Sequence, residues 1–221
     1  MKTIELLDSE KDFLTEEAYN SLRTNIMFCG ENVKTIALTS CFPNEGKSTV
    51  SRKLAINLAK IEKKVLYIDA DMRKSVLMGK VNVEGETLGL AHVLTGQAEI
   101  KDAVYQVKDN DNLNVIFTGS FPPNPSELLS SSKFKTIIAD LRKDYDYIII
   151  DTPPVGAVID AAIIASVCDG AIVVIKANST SYKAVRNAKI QLEKSNCRIL
   201  GAVLNGAEVN KKAYYNKYYR D

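Results

Sequence analysis

Short β-branched runs alternate with helical stretches along most of the chain. "KTIALTS" (34–40) reads as a buried strand, and a helix follows from about Ser48 to Ile61, with Val50, Leu54, Leu58 and Ile61 on one face at three- and four-residue spacing. "KVLYIDAD" (64–71) and "LNVIFTG" (113–119) predict two more strands, and "YDYIIIDT" (145–152), "GAIVVIKA" (170–177) and "RILGAVLNG" (198–206) a further three. Helical patterns separate them at about 126–142, 157–168 and 181–195. Continuous Val/Ile runs, in place of strict alternation, are the pattern of strands covered on both faces. Strand–helix alternation over this length predicts one α/β domain, a mostly parallel sheet flanked by helices on both faces. Two local features stand out: a Pro-rich loop, "SFPPNPSELL", with Ser126 placed to cap the next helix, and a helix ahead of the first strand, "TEEAYNSLRTNIMFCG", with Gly30 as its C-cap. That helix carries an apolar stripe of Tyr19, Leu22, Ile26 and Met27.

Composition narrows the function classes only modestly. Of 221 residues, 46% are hydrophobic and 25% charged, enough apolar material for a real core. A net charge of +2 implies no bulk attraction to nucleic acid or anionic lipid. The opening segment, "MKTIELLDSEKDF", lacks the apolar run of a signal peptide, and "YIIID" and "AIVVIK" fall far short of the ~20 residues that cross a bilayer. A cytoplasmic protein is therefore expected. Cys29, Cys41, Cys168 and Cys197 are widely spaced without a CxxC pair, so neither a zinc site nor a disulfide framework is indicated.

The chemistry begins at "TSCFPNEGKST", where Gly46-Lys47-Ser48-Thr49 follows a strand and opens a helix, the context of a phosphate-binding P-loop. Backbone N–H groups there would surround phosphates, Lys47 would reach the β/γ oxygens, and Ser48 would offer a hydroxyl to Mg²⁺. The general pattern GxxxxGK[ST] is incomplete, because Cys41 stands where its first glycine belongs. Two further elements complete the case. "IIIDTPP" ends a strand with Asp151, and "VLYIDADMR" ends another with Asp69 and Asp71. Carboxylates at strand carboxyl ends face the crevice in which α/β sheets bind ligands. Three of them beside a GKST loop indicate metal-assisted phosphoryl chemistry on a nucleotide.

This constellation resembles the bacterial tyrosine kinases, in the stand-alone cytosolic form of capsule and exopolysaccharide systems. "TSCFPNEGKS" fits that family's phosphate loop, including the missing glycine; "VLYIDADMR" supplies its DxDxR element in Asp69, Asp71 and Arg73; "IIIDTPP" and "PPNPSELL" match as well. The resemblance runs from about residue 15 to the C-terminus. It implies a P-loop NTPase-like fold, ATP and Mg²⁺ as cofactors, and Lys47, Asp69, Asp71 and Asp151 as the catalytic set. Asn44, Glu45, Gly46, Lys47, Ser48 and Thr49 would bind the nucleotide, with Asn205 near the adenine, and Ser48, Asp71 and Asp151 would hold the metal. Asp69 would take the proton of the acceptor phenol, whose free pKa is ~10.

The family also implies partners. An ExxRxxR helix joins subunits into rings, commonly octamers, and here Glu17 and Arg23 match while Asn20 replaces the middle arginine. A transmembrane adaptor would activate the enzyme through its cytosolic tail and recruit it to the membrane's inner face. Protein tyrosines would be the substrates, first among them the cluster Tyr214, Tyr215, Tyr218 and Tyr219 in "KKAYYNKYYRD". Residues 1–206 would then form the kinase domain, with the oligomerisation helix at 15–30, and 207–221 a flexible acceptor tail. From Gly206 to Tyr219 that tail spans on the order of 40 Å when extended, enough to reach its own site or a neighbour's. Two alternatives have features of their own. Lys211, Lys212, Lys217 and Arg220 interleave with the tail's rings as in a single-strand nucleic-acid platform, but no extended basic groove accompanies them, so no nucleic-acid partner is expected. A Min- or Par-type ATPase switch would carry a lysine early in its P-loop, where this chain has Ser40-Cys41-Phe42.

Overall fold

A computed structural model describes residues 2–6, 13–75, 77, 81–82 and 87–208. The four tail tyrosines, Tyr214, Tyr215, Tyr218 and Tyr219, lie outside the described residues. In chain order the elements are β1 (Lys2–Leu6), α1 (Phe13–Met27), β2 (Thr35–Ser40), α2 (Lys47–Ala59), β3 (Val65–Asp69), β4 (Val81–Asn82), α3 (Leu90–Leu94), β5 (Val104–Val107), β6 (Asn110–Ile116), α4 (Pro125–Ser130), α5 (Ser132–Asp144), β7 (Tyr147–Asp151), α6 (Asp160–Ala165), β8 (Gly170–Lys176), α7 (Tyr182–Lys194) and β9 (Ile199–Asn205). The strands form one sheet in the order β4-β1-β5-β6-β3-β7-β2-β8-β9. From β6 to β9 every neighbouring pair is parallel; β5 runs antiparallel to β6, and β4 to β1.

Two apolar layers cover the sheet. Alternate residues of β3 and β7, namely Leu66, Ile68, Ile148 and Ile150, pack against α3 to α7 through Leu90, Leu129, Phe134, Ile164 and Leu192. Their neighbours Val65, Tyr67 and Ile149 face the other way, onto Ile26 of α1 and Val50, Leu54 and Leu58 of α2. Each such side chain contributes roughly 1.5–3 kcal/mol through burial. This two-residue alternation also decides where the acids go. Asp69 follows Tyr67 by two residues and Asp151 follows Ile149 by two, so both carboxylates emerge on the α2 side. The register pairs Asp69 with Asp151 directly across β3 and β7.

Several local expectations are corrected. The strand expected at 113–119 is the second arm of a β5–β6 hairpin and ends at Ile116. The helix expected at 126–142 is two helices, because Ser131 adopts extended backbone and caps α5 by accepting from the Phe134 N–H at 3.2 Å. Ser126 caps nothing: Asn124 occupies the N-cap of α4, Pro125 follows it, and the Ser126 hydroxyl bonds Asp160 instead. Ile61 lies beyond the end of α2. In α1, Ile26 is buried and Tyr19 and Leu22 pack against the core, but Met27 is exposed. Gly30, expected as the C-cap, lies three residues beyond the end of α1 at φ +123°, in the turn that follows the helix.

One loop contact fixes how β2 and β7 present their following segments. Gly156 passes so close to the phosphate loop that a Cβ there would lie 2.3 Å from the Cys41 carbonyl oxygen. Gly156→Ala is therefore expected to lower stability by about 1–3 kcal/mol, the usual cost of overpacking. Urea unfolding at pH 7 checks it; an unchanged midpoint would mean the two loops separate freely.

Candidate active site

The phosphate loop is braced from behind by its own glutamate. Glu45 is buried; its Oε2 accepts from the Phe42 N–H at 2.8 Å and its Oε1 from the Thr180 hydroxyl. The Asn205 amide donates to the Glu45 carbonyl at 2.9 Å, which ties the end of β9 to the loop. Gly46, at φ +89°, has Asn205 against its α-carbon, and a Cβ there would lie 2.0 Å from Nδ2. The loop is thus held closed by residues that never face its concave side. Gly46 supplies no side chain to cap α2, so the first-turn N–H groups are left for an anion.

Lys47 crosses above the paired acids. Its Nζ donates to Asp151 Oδ1 at 2.8 Å and to Ser48 Oγ at 3.2 Å, and stands 3.9 Å from Asp71 Oδ2. Ser51, one turn further along α2, bridges the Lys47 carbonyl (2.7 Å) and Asp151 Oδ1 (3.0 Å). Asp71 Oδ1 accepts from the N–H groups of Arg73 (3.3 Å) and Lys74 (3.0 Å), a turn that fixes its carboxylate. Asp69 accepts from the Asp71 N–H at 3.2 Å and from the Ser75 hydroxyl. Burial, reinforced by the charge of Asp151, pushes the Asp69 carboxyl up to about 7; the Ser75 hydroxyl and Lys47 pull the other way. Tyr67 lies beneath, and burial together with the charges of Asp151 and Asp69 holds its phenol well above 10.

A cavity of about 450 Å³ opens over this cluster, lined by Asn44, Gly46, Lys47, Ser48, Thr49, Asp71, Arg73 and Lys74 on one side and by Pro153, Pro154 and Val158 on the other. Of the expected nucleotide-binding residues, Asn44, Gly46, Lys47, Ser48 and Thr49 line it. The Glu45 side chain turns inward, and Asn205 lines a neighbouring cavity of about 420 Å³ with Leu14, Tyr19, Leu22, Val50 and Leu204. Glu17 and Arg23 lie on α1, away from the cluster; Glu17 accepts from Asn20 at 3.1 Å and Arg23 donates to the Asn57 carbonyl of α2 at 3.3 Å. Cys41 is buried, and burial followed by the charge of Glu45 pushes its thiol up to about 11, so it is protonated and unreactive at neutral pH. Sequence reasoning missed Ser51, whose signal was its position four residues after Lys47 on the same helix face. It also missed Thr180, Ser75 and Asp160, which carry no local signature.

The donors suit Mg²⁺. Among the described residues no three acidic, histidine or cysteine side chains form a metal site by themselves. Two carboxylates and a hydroxyl, Asp151, Asp71 and Ser48, already gather around a cation, the Lys47 ammonium, and as an oxygen set with too few ligands for a dedicated cage they would hold Mg²⁺ and supply charge neutralisation.

Sheet, loop and strand-end acids together define a P-loop NTPase-like protein. Similarity to known proteins agrees and goes further. The AAA domain family matches residues 33–198. Over 221 residues the chain is 42% identical to tyrosine-protein kinase CpsD of Streptococcus agalactiae, covering 99% of this chain and 95% of that one. The kinase domain of Escherichia coli tyrosine kinase ETK superposes with a TM-score of 0.79 at 32% identity, over 88% of this chain and 78% of that one. The septum site-determining protein MinD from Pyrococcus horikoshii, solved with Mg-ADP, is more distant, with a TM-score of 0.66 at 26% identity over 83% and 76%. The chain belongs to the bacterial tyrosine-protein kinase family.

The raised carboxyl of Asp69 makes a prediction for the nucleotide-free, metal-free protein. A folded pKa of about 7, above the unfolded value of ~3.9, stabilises the fold below pH 4 and loses that contribution as pH rises through 7. Asp69→Asn is therefore expected to be more stable than wild type at pH 8, by on the order of a few kcal/mol, with the gap closing toward pH 5. Thermal unfolding in EDTA across that range checks it, and a constant gap would contradict it.

Proposed function

We propose that this chain is an ATP-dependent protein-tyrosine kinase that phosphorylates its own C-terminal cluster, Tyr214, Tyr215, Tyr218 and Tyr219, between neighbouring subunits, and thereby regulates capsular or exopolysaccharide synthesis and export. The observation that carries the reading is the registered pair Asp69 and Asp151 beneath Lys47, in a chain whose relatives are tyrosine kinases. Lys47 reaches the β/γ oxygens of ATP after leaving Asp151, and the open first turn of α2 takes up phosphate charge. Bound Mg²⁺ supplies charge neutralisation at those phosphates, held through Ser48, Asp71 and Asp151. Asp69, with a carboxyl near 7, is a better proton acceptor for a phenol than an ordinary carboxylate, and it already accepts a hydroxyl from Ser75. The apolar cavity beside Asn205 is the natural place for the adenine ring. Catalysis here rests on position and charge more than on covalent chemistry.

Partners follow from the family. No helix among the described residues is long and apolar enough to cross a membrane, and a transmembrane adaptor's cytosolic segment would bring the kinase to the membrane and activate it. Self-association into a ring would run through α1. Arg23 already serves its own domain through the Asn57 carbonyl, and Asn20, in place of the family's arginine, is linked to both Glu17 and Asn57. Each phosphate adds about −1.5 to −2 charge, so adjacent phosphorylated tails would repel one another and loosen the ring. The Min-type reading is less well supported: its structural match is weaker, and the loop lacks the early lysine.

Incubation with Mg·ATP and the adaptor's cytosolic segment, followed by phosphosite mapping, tests the activity. Wild type is expected to be labelled on the C-terminal tyrosines, and Lys47→Met and Asp69→Asn to lose the label by more than about 100-fold. Labelling that persists in both variants would falsify the assignment. Arg23→Ala is expected to weaken self-association, read by light scattering; an unchanged assembly would remove α1 from the interface.

A further inference from the structure

Asp160 opens α6 on the loop that follows β7, and its carboxylate is fully buried. Two side chains from other elements meet it. Arg73 donates to it twice, from Nε to Oδ2 at 2.6 Å and from Nη2 to Oδ1 at 3.1 Å. Ser126, in the first turn of α4, donates to Oδ1 at 2.6 Å and accepts from Arg73 Nη2 at 3.0 Å. The three side chains close a triangle that joins the segments after β3, β6 and β7 at the carboxyl edge of the sheet. A buried ion pair is a poor source of net stability, whereas a two-pronged guanidinium–carboxylate contact fixes orientation well.

That orientation bears on the site because Arg73 belongs to it. Its backbone N–H donates to Asp71 Oδ1, so the residue held by Asp160 at one end holds Asp71 at the other. Its side chain is about two-fifths exposed and lines the same cavity as Lys47, Ser48 and Asp71. The clamp engages Nε and Nη2 and leaves Nη1 outside it.

We propose that Asp160 and Ser126 are positioning residues for phosphoryl transfer, acting through Arg73. They hold the guanidinium against the cavity wall and keep the Asp71 turn, with Asp69 two residues before it, in the arrangement that transfer requires. A serine that looks like a helix cap in the sequence is thereby part of the reaction's support, although it touches no phosphate. The inference rests on the kinase reading of the site.

The test compares wild type, Ser126→Ala, Asp160→Asn, Arg73→Lys and the Ser126→Ala/Arg73→Lys double variant. For each, tyrosine phosphorylation is measured against ATP concentration, together with Mg·ADP affinity and thermal stability. Ser126→Ala, which retains the buried ion pair and the fold, is expected to lower kcat about 3- to 10-fold with KM for ATP and Mg·ADP affinity within about twofold. Asp160→Asn should lower kcat further, about 10- to 100-fold. In the Arg73→Lys background, Ser126→Ala should cost little more, since residues acting through one group are not additive. An unchanged kcat in Ser126→Ala, an equal loss in the Arg73→Lys background, or a loss confined to stability and ADP affinity would overturn the proposal. Failure of the kinase reading is distinguishable, because wild type itself would then transfer no phosphate to tyrosine.

Discussion

Two carboxylates brought side by side in a dry crevice repel each other unless a cation stands between them, and the architecture of this protein is arranged around that constraint. Parallel register sets Asp69 beside Asp151, and the two-residue alternation of β3 and β7 turns both toward α2. The first residue of α2 answers with Lys47, whose ammonium bonds Asp151 at 2.8 Å. Even so the site is not fully relieved: burial first, and the charge of Asp151 after it, leave the Asp69 carboxyl raised. A site of this kind is ready for a second cation. On the proposed function, phosphates that drew Lys47 away would leave two acids suited to Mg²⁺, and nucleotide and metal binding would be coupled through that one side chain.

The loops around this cluster are held by contacts remote from the chemistry. Glu45, Thr180 and Asn205 close the phosphate loop from outside, Gly156 lets the following loop press on Cys41, and Asp160 with Ser126 secures Arg73. Each contact joins segments that follow different strands at one edge of the sheet. The cavity wall is therefore set by tertiary partners, not by the local conformation of any one loop, and sub-ångström placement of catalytic groups is what such support supplies.

How much of this was readable in the sequence follows from how far each signal reaches along the chain. The P-loop and the strand-end acids are local patterns, and they led to the fold and to the candidate cluster of Lys47, Asp69, Asp71 and Asp151 together. β1, β4 and β5 were missed because segments of only five, two and four residues become strands only when partners elsewhere in the chain supply their hydrogen bonds. Ser126 was misread for a related reason. A serine before an apolar run is ordinarily a cap, but here a buried carboxylate 34 residues later captures its hydroxyl. Ser51 was within reach, since four residues after Lys47 on a helix is the same face. Thr180 and Asp160 were not, because only the folded chain brings them to Glu45 and Arg73.

The proposed exchange of Lys47 for a metal ion at Asp151 is addressed directly by calorimetric titration of ADP with and without Mg²⁺, in wild type and in Asp151→Asn. Wild type should bind ADP about tenfold or more tighter with Mg²⁺ than in EDTA. Asp151→Asn should lose most of that difference while binding metal-free ADP at least as well as wild type, its Lys47 being already released. Equal Mg²⁺ dependence in the two proteins would contradict the account.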